Sequence, residues 1–282
     1  MPELPEVETV RRGLADRVVG RELGAPVVAH PRAVRRQEGG AALFSSRATG
    51  VVHSARRRGK YLWLEVGDRD DVVVAHLGMS GQFRVVDAPP DDDPHARVWW
   101  PLDDGTTVVF RDQRTFGWVL ADRMAGEVPT AVAHIARDPF DPAFDREATA
   151  RAIRRSTSGV KRVLLNQSVV SGIGNIYADE TLWRVGTHPD RPASRLTQKD
   201  AIRLLDTATE VMDEALAAGG TSFDPLYVAV NGESGWFERR LDAYGRQDLP
   251  CRRCGTAIVR EQFANRSSHR CPRCQRPPRG GG

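Results

Sequence analysis

At 282 residues the chain has room for two domains, or for one domain with a small appended module. Apolar residues make up 40% and charged residues 28%, ordinary for a soluble globular protein, and the lack of a long apolar run excludes a helical membrane span. The net charge of +4 hides a polarisation: residues 246–282 carry nine arginines against Asp248 and Glu261, so the rest of the chain is net negative. That basic end is either a solvated tail or a surface for an anionic partner, most simply nucleic acid.

The chain opens Met1-Pro2-Glu3-Leu4-Pro5-Glu6, acidic where a signal peptide is basic and then apolar, so a cytoplasmic location is expected. Val7, Val10, Leu14 and Val18 recur at helical spacing and predict an amphipathic helix over 3–18. From about 20 to 125 short β-like runs take over. Tyr61–Leu64, Val72–Ala75 and Thr107–Phe110 are strands separated by Gly, Asp and Pro clusters, including Gly78, Gly81, Gly105 and the 87–94 stretch. Consecutive strands without intervening helices predict an antiparallel sandwich.

Asp138-Pro139-Phe140-Asp141-Pro142 reads as a linker. Helices are then predicted over 146–155, 160–167, 175–185 and 197–218. The last opens with the capping pattern Thr197-x-x-Asp200, stops at Gly219-Gly220, and has Ile202, Leu205, Met212 and Leu216 as its buried stripe. A Gly-rich stretch over 219–235 leads to the cysteines, and no internal repeat occurs.

All four cysteines lie in Cys251-x2-Cys254, a gap of 16 residues, then Cys271-x2-Cys274. Disulfides do not suit a chain without a signal peptide, and iron–sulfur ligation has no other redox signature to support it. The spacing is that of two zinc knuckles, each turning both sulfurs onto one tetrahedral ion, with a β-hairpin filling the gap. Four sulfurs leave no open coordination position, so the zinc is structural. Arg266, in Asn265-Arg266-Ser267-Ser268, sits on that hairpin. By sequence alone it is one more arginine suited to phosphate.

Six segments, in order, resemble one family along nearly the whole chain. Met1–Thr9 is similar to the opening of formamidopyrimidine-DNA glycosylases. Arg58-Gly-Lys60-Tyr-Leu, His76-Leu-Gly-Met-Ser-Gly81 and Asp112-Gln-Arg-Thr-Phe-Gly117 are similar to its internal motifs. Gly172-Ile-Gly-Asn-Ile-Tyr-Ala-Asp-Glu180 resembles its helix–two-turn–helix signature, and the cysteine ribbon with Asn265-Arg266 completes the set. The resemblance implies an α+β fold: an N-terminal helix and β-sandwich over 1–133, a helix–two-turn–helix domain with a lesion-recognition loop over 134–240, a four-cysteine zinc finger over 241–276 and a disordered tail over 277–282. DNA would lie in the cleft between the two larger parts. The implied activity is excision of 8-oxoguanine and formamidopyrimidines from duplex DNA, then strand cleavage by β,δ-elimination, by a monomer working on nucleoid DNA without any membrane.

The same resemblance assigns residues. Pro2, freed by removal of Met1, is the nucleophile that attacks the sugar C1′ and leaves a covalent iminium; on its own, a proline there starts a helix. Glu3 becomes the general acid/base toward the opening deoxyribose, where otherwise it complements the helix dipole. Glu6 could assist through a hydrogen bond. Lys60 takes part in β-elimination and contacts a flanking phosphate, and Arg266 serves δ-elimination by stabilising the leaving phosphate. Met79, Arg114 and Phe116 fill the void left by the flipped nucleotide, although by sequence alone Met79 and Phe116 read more readily as core. His95 and Asn175 contact DNA, the latter at a helix N-terminus suited to phosphate or simply as an N-cap. Where many members carry a phosphate-binding lysine this chain has Ser156, with Arg155 as the substitute. An endonuclease VIII-like enzyme for oxidised pyrimidines and a non-catalytic zinc-ribbon DNA-binding relative are the alternatives; Leu4 and the Met79/Arg114/Phe116 trio favour the purine-directed branch.

Overall fold

The computed structural model describes residues 2–67, 70–220 and 240–278. Met1, nearly all of the 219–235 loop and most of the 277–282 tail, read above from the sequence, lie outside the described residues. The chain divides into two units, Met1–His134 with Ala218–Trp236 and Ile135–Ala217 with Phe237–Gly282. No helix among the described residues is long and apolar enough to cross a membrane.

The first unit begins with α1 (Leu4–Val18), on the stripe the sequence predicts. Val7, Val10, Leu14 and Val18 are all at most 1% exposed, and each such side chain contributes roughly 2 kcal/mol by leaving water. After a left-handed turn at Gly20 the chain forms β1 (Glu22–Leu23), β2 (Val27–Val28), a 3-10 turn (Pro31–Val34), α2 (Gly40–Arg47), β3 (Gly50–Arg58), β4 (Tyr61–Val66), β5 (Asp71–His76), β6 (Gly81–Val86), β7 (Ala96–Pro101), β8 (Thr107–Asp112), β9 (Trp118–Ala125) and β10 (Val128–Pro129). The strands pair antiparallel into a six-stranded sheet, β1-β3-β4-β5-β9-β10, and a four-stranded sheet, β2-β7-β8-β6. Leu62, Leu64 and Val73 of one sheet meet Phe83, Trp100 and Phe110 of the other in a single core that also takes the α1 stripe. The sandwich expected from the strand pattern is present. Helix α2 was not expected: it starts at two glycines without a capping side chain and buries only Phe44, too short an apolar face to leave a period.

The second unit carries α3 (Arg146–Arg154), α4 (Val160–Leu164), α5 (Asn175–Val185), α6 (Gln198–Ala217) and a hairpin of β11 (Val259–Phe263) and β12 (Arg266–Arg270). Residues 138–142, read as a linker, form a braced turn instead. Arg137 Nη1 donates to Asp141 Oδ2 at 2.7 Å, Phe140 N donates to Asp138 Oδ1 at 3.2 Å, and Asp138 is buried. The second predicted helix stops at Leu164 rather than 167. There the Asn166 side chain accepts from Ser168 N, and Gln167 Nε2 donates to Leu165 O and Ile173 O, so side chains take over the backbone's partners. Helix α6 opens on the predicted box: Thr197 N donates to Asp200 Oδ2 at 3.2 Å and Asp200 N to Thr197 Oγ1 at 3.0 Å. Its buried face runs through Ala201, Leu204, Leu205, Ala208, Val211, Met212 and Ala215. Ile202 and Leu216, expected in the stripe, are only half-buried, because the buried face is centred one position earlier, on Ala201, Leu204, Ala208, Val211 and Ala215.

His76 closes β5, stacked on Trp118 with ring centroids 6.0 Å apart and 4.9 Å from the Tyr61 ring. Burial, then the charges of Lys60, Arg36 and Arg35, push its pKa down to about 4. The unfolded imidazole takes up a proton below its ordinary value while the folded one resists, so stability is full above pH ~6.5 and declines as pH falls toward 4. Urea titrations of the wild type and His76→Gln should show the variant losing less stability over that window, by up to about 3 kcal/mol; identical pH dependence would contradict the buried neutral imidazole.

Candidate active site

Helix α1 presents the start of the chain. Glu3 is its N-cap, and a capping box closes on Glu6: Glu3 N donates to Glu6 Oε2 at 2.8 Å while the Glu3 carboxylate accepts from the Glu6 backbone N–H. Pro2 is buried, and Glu3 and Glu6 are 2% and 3% exposed. Pro5 lies in the first turn, where its missing N–H costs nothing. Glu3 and Glu6, read as acid/base and helper, are thus one hydrogen-bonded unit, with the buried Pro2 adjoining Glu3 in the chain.

Lys60 is buried at the turn between β3 and β4, reached through Gly59 at φ +56°. This turn is tied to α1 by Glu8, whose carboxylate accepts from Arg57 Nε at 3.1 Å and from Arg11 and Arg12 at 2.9 and 2.8 Å. Arg57 Nη1 also donates to Gly59 O at 3.3 Å, and Arg11 Nη1 to Ala55 O at 3.1 Å. Although burial opposes ionisation, the hydrogen bonds and charges of these arginines bring Glu8 down to about 2, so the tie stays charged at any working pH. The sequence reading passed over Glu8, and also over His76, whose neutral ring feels the Lys60 charge.

Met79 and Phe116 are 42% and 43% exposed, which removes them from the core to which composition alone would assign them. Their turns abut: a Cβ on Gly78 would collide with Gly117 N and the Phe116 carbonyl carbon, so the backbones can meet only at glycine. The Arg114 guanidinium lies 5.0 Å from the centre of the Phe116 ring. His95 lines a surface cavity with Ser80, Gln82, Arg111 and Asp112, and its Nδ1 has no hydrogen-bond partner among the described residues.

In the second unit, Asn175 is the first residue of α5. The N-cap is Gly174, which corrects the alternative reading of Asn175 as the cap. Its Nδ2 donates to Ser267 O at 2.9 Å and so reaches the zinc hairpin. Of the arginines before Ser156, Arg154 is committed, with Nε on Leu196 O at 2.9 Å, while Arg155 at the end of α3 is exposed.

Two adjacent carboxylates of α5 hold the cysteine module. Asp179, fully buried, accepts from Ser268 Oγ at 3.0 Å and His269 N at 2.8 Å, and pairs with the equally buried Lys161 at 2.6 Å. Glu180 accepts the backbone N–H groups of Asp242, Ala243 and Tyr244 at 2.9, 2.9 and 2.7 Å. Burial pushes Glu180 up to about 7 against those donors. Arg266 is the exposed first residue of β12, opposite Phe263 and just past a turn in which Ala264 has φ +51°.

The four cysteines form no disulfide, and their sulfurs all lie within 4.8 Å of one another, with Cys254 3.5 Å from both Cys271 and Cys274. Zn–S bonds of about 2.3 Å demand tetrahedron edges of roughly 3.8 Å, so the sulfurs fit one structural zinc. Trp183 Nε1 donates to Cys251 Sγ at 3.4 Å, a donor that offsets thiolate charge and orients the ligand. Arg253 stacks 4.0 Å over that indole.

A capped helix with buried Pro2, Glu3 and Glu6 and a lysine turn in a β-sandwich, and a helical unit bearing a four-cysteine zinc hairpin, define a zinc-binding α+β protein of two units. Family models cover most of the chain: "Formamidopyrimidine-DNA glycosylase N-terminal domain" over 1–119, "Formamidopyrimidine-DNA glycosylase H2TH domain" over 135–225 and "Zinc finger found in FPG and IleRS" over 248–277. The formamidopyrimidine-DNA glycosylases of Nocardia farcinica and Mycolicibacterium gilvum are each 58% identical, covering 99% of this chain and 99% and 100% of those proteins. Among solved structures, a Lactococcus lactis FPG mutant in complex with a Fapy-dG containing DNA superposes with a TM-score of 0.86 at 32% identity, over 98% of this chain and all of that one. Thermus thermophilus MutM (FPG) gives 0.84 at 37%, over 97% and 98%. The chain belongs to the formamidopyrimidine-DNA glycosylase family.

Cys251→Ala opens the closed coordination sphere and removes the acceptor of the Trp183 N–H. It is expected to cost the bound zinc and to weaken duplex DNA binding at least about tenfold, read as metal content and Kd. Full zinc content with unchanged affinity would contradict a structural metal.

Proposed function

We propose that the chain excises oxidised purines, 8-oxoguanine and formamidopyrimidines, from duplex DNA and then cuts the strand by β,δ-elimination, acting as a monomer on nucleoid DNA in the cytoplasm. The observation that carries this reading is the buried Pro2–Glu3–Glu6 terminus locked through Glu8 and Arg57 to the Lys60 turn.

The reactive group is the secondary amine of Pro2, free once Met1 is removed. A terminal amine titrates near 8 and a lysine near 10.4, so at neutral pH roughly a tenth of the former is unprotonated against well under a thousandth of the latter. Attack of Pro2 N on C1′ breaks the glycosidic bond and releases the base; Glu3 supplies the proton as the sugar ring opens. The resulting iminium is already cationic and draws electrons from C2′, where proton loss expels the 3′ phosphate. Lys60 supports that first elimination. A second elimination expels the 5′ phosphate, whose charge Arg266 stabilises as a fixed cation, since a guanidinium does not give up its proton.

C1′ is out of reach in a stacked duplex, so the nucleotide must leave the helix at a cost of about a few kcal/mol. Met79 and Phe116, exposed apolar side chains on abutting turns, act as the wedge, and Arg114 can hydrogen-bond the orphaned cytosine. Asn175 and Arg155 contact phosphates, and His95 makes a further contact to DNA.

Incubation with an 8-oxoguanine:C duplex and borohydride should trap one covalent adduct per chain, with excision faster than from a thymine glycol duplex. Arg266→Ala should shift products from δ- to β-elimination. Faster thymine glycol excision would instead favour the pyrimidine-directed reading, and the absence of any adduct from Met-processed protein would contradict the lyase chemistry.

A further inference from the structure

The loop between β8 and β9 carries Arg114 and Phe116, and its backbone is not in a relaxed conformation. Thr115 has φ +54°, a left-handed position that β-branched residues avoid. Such a residue persists only where its surroundings over-determine it.

From within, the Asp112 carboxylate accepts from Gly117 N at 2.6 Å, Arg114 N at 3.2 Å and Ser80 Oγ at 2.5 Å, and Ser80 Oγ accepts from Arg114 N at 3.1 Å. From outside, two arginines of the Pro31–Val34 turn region take three consecutive carbonyl oxygens. Arg32 Nε donates to Thr115 O at 3.3 Å; Arg35 Nη2 donates to Phe116 O at 2.8 Å and Nη1 to Gly117 O at 2.7 Å. Arg35 Nη1 also donates to Arg32 O at 2.8 Å, tying the clamp to its own turn. Arg36 lies 4.4 Å over the ring of Trp118, the next residue along. Burial and the charges of Arg32 and Arg36 lower the pKa of Arg35 from its ordinary value, so the cations crowd together against their repulsion. The forked contact needs a planar guanidinium: a lysine keeps the charge but cannot reach two neighbouring carbonyls in one plane.

We propose that Arg35, supported by Arg32, is a positioning residue that holds the 114–117 backbone in its strained form, so that the Arg114–Phe116 wedge is ordered before DNA arrives. The inference rests on the reading of Phe116 as the wedge. Ordering the loop in advance removes that entropy cost from the step in which the nucleotide is flipped. It touches neither the nucleophile nor the eliminations.

The test pairs two substrates. One is a duplex with 8-oxoguanine opposite C, which requires the wedge. The other is a single-stranded oligonucleotide with an abasic site, which has no stack to fill and no base to release. Arg35→Lys should lower kcat/KM on the duplex about tenfold and leave single-strand cleavage within about twofold. Arg35→Met should behave alike, and adding it to Phe116→Ala should cost less than it does alone, because part of what it orders is already gone. Wild-type duplex rates in Arg35→Lys would overturn the proposal by showing that charge alone suffices. Equal losses on both substrates, or additive losses in the double variant, would overturn it too. Phe116→Ala distinguishes the two levels: if it excises from duplex at the wild-type rate the wedge reading itself fails, whereas if it is slow and Arg35→Lys is not, only the role of Arg35 fails.

Discussion

A nucleophile at the very start of a polypeptide must be immobilised without being blocked, although chain ends are where proteins fray. On the proposed reading of Pro2 as that nucleophile, the immobilisation falls to everything after it. Val7, Val10, Leu14 and Val18 sink α1 into the sandwich core, and the Glu3–Glu6 box closes the first turn with reciprocal hydrogen bonds. Glu8 then ties the helix through Arg57 to the turn carrying Lys60. Pro2, itself buried, is carried by this framework, which on the proposed reading holds its nitrogen in place for attack. The cost of ordering the end falls on burial several residues away, where it is readily offset.

The second unit solves a similar problem for a hairpin. A zinc ion held by four cysteines stiffens the knuckles but does not say where they point, and a rigid object hinged at one end can still swing. Placement comes from α5: Asp179 takes Ser268 and His269 of β12, and Glu180 takes the backbone at 242–244 where the chain enters the module. Lys161 neutralises Asp179 in a fully buried pair. Loss of either partner would strand a buried charge, which is far more costly than never having had the pair. Rigidity from the metal and placement from the carboxylates together fix the strand on which Arg266 stands.

What the sequence made legible is what repeats locally. The α1 stripe, the Thr197–Asp200 box and the two Cys-x2-Cys knuckles each declare themselves within a few residues, and each is present as expected. The motif order carried the choice of candidate residues. The interactions that aim those residues were not legible, because they join positions far apart: Glu8 with Arg57, Asp179 with Ser268, Arg35 with Gly117. Charged residues in such roles look like ordinary solvated ones until the fold brings their partners. Met79 and Phe116 looked like core for the opposite reason, and their exposure follows from glycines that let two turns meet at the surface. Helix α2 and the braced turn at 138–142 were missed because a glycine-started helix and a Pro-rich turn share the composition of loops.

The central claim is that the reacting atom is the nitrogen of Pro2 and not a lysine. Tandem mass spectrometry of the protease-digested borohydride adduct tests it directly. The account predicts that the sugar remnant maps to the N-terminal peptide, on a Pro2 from which Met1 is gone. A remnant on Lys60, or on an N-terminal peptide that still carries Met1, would contradict it.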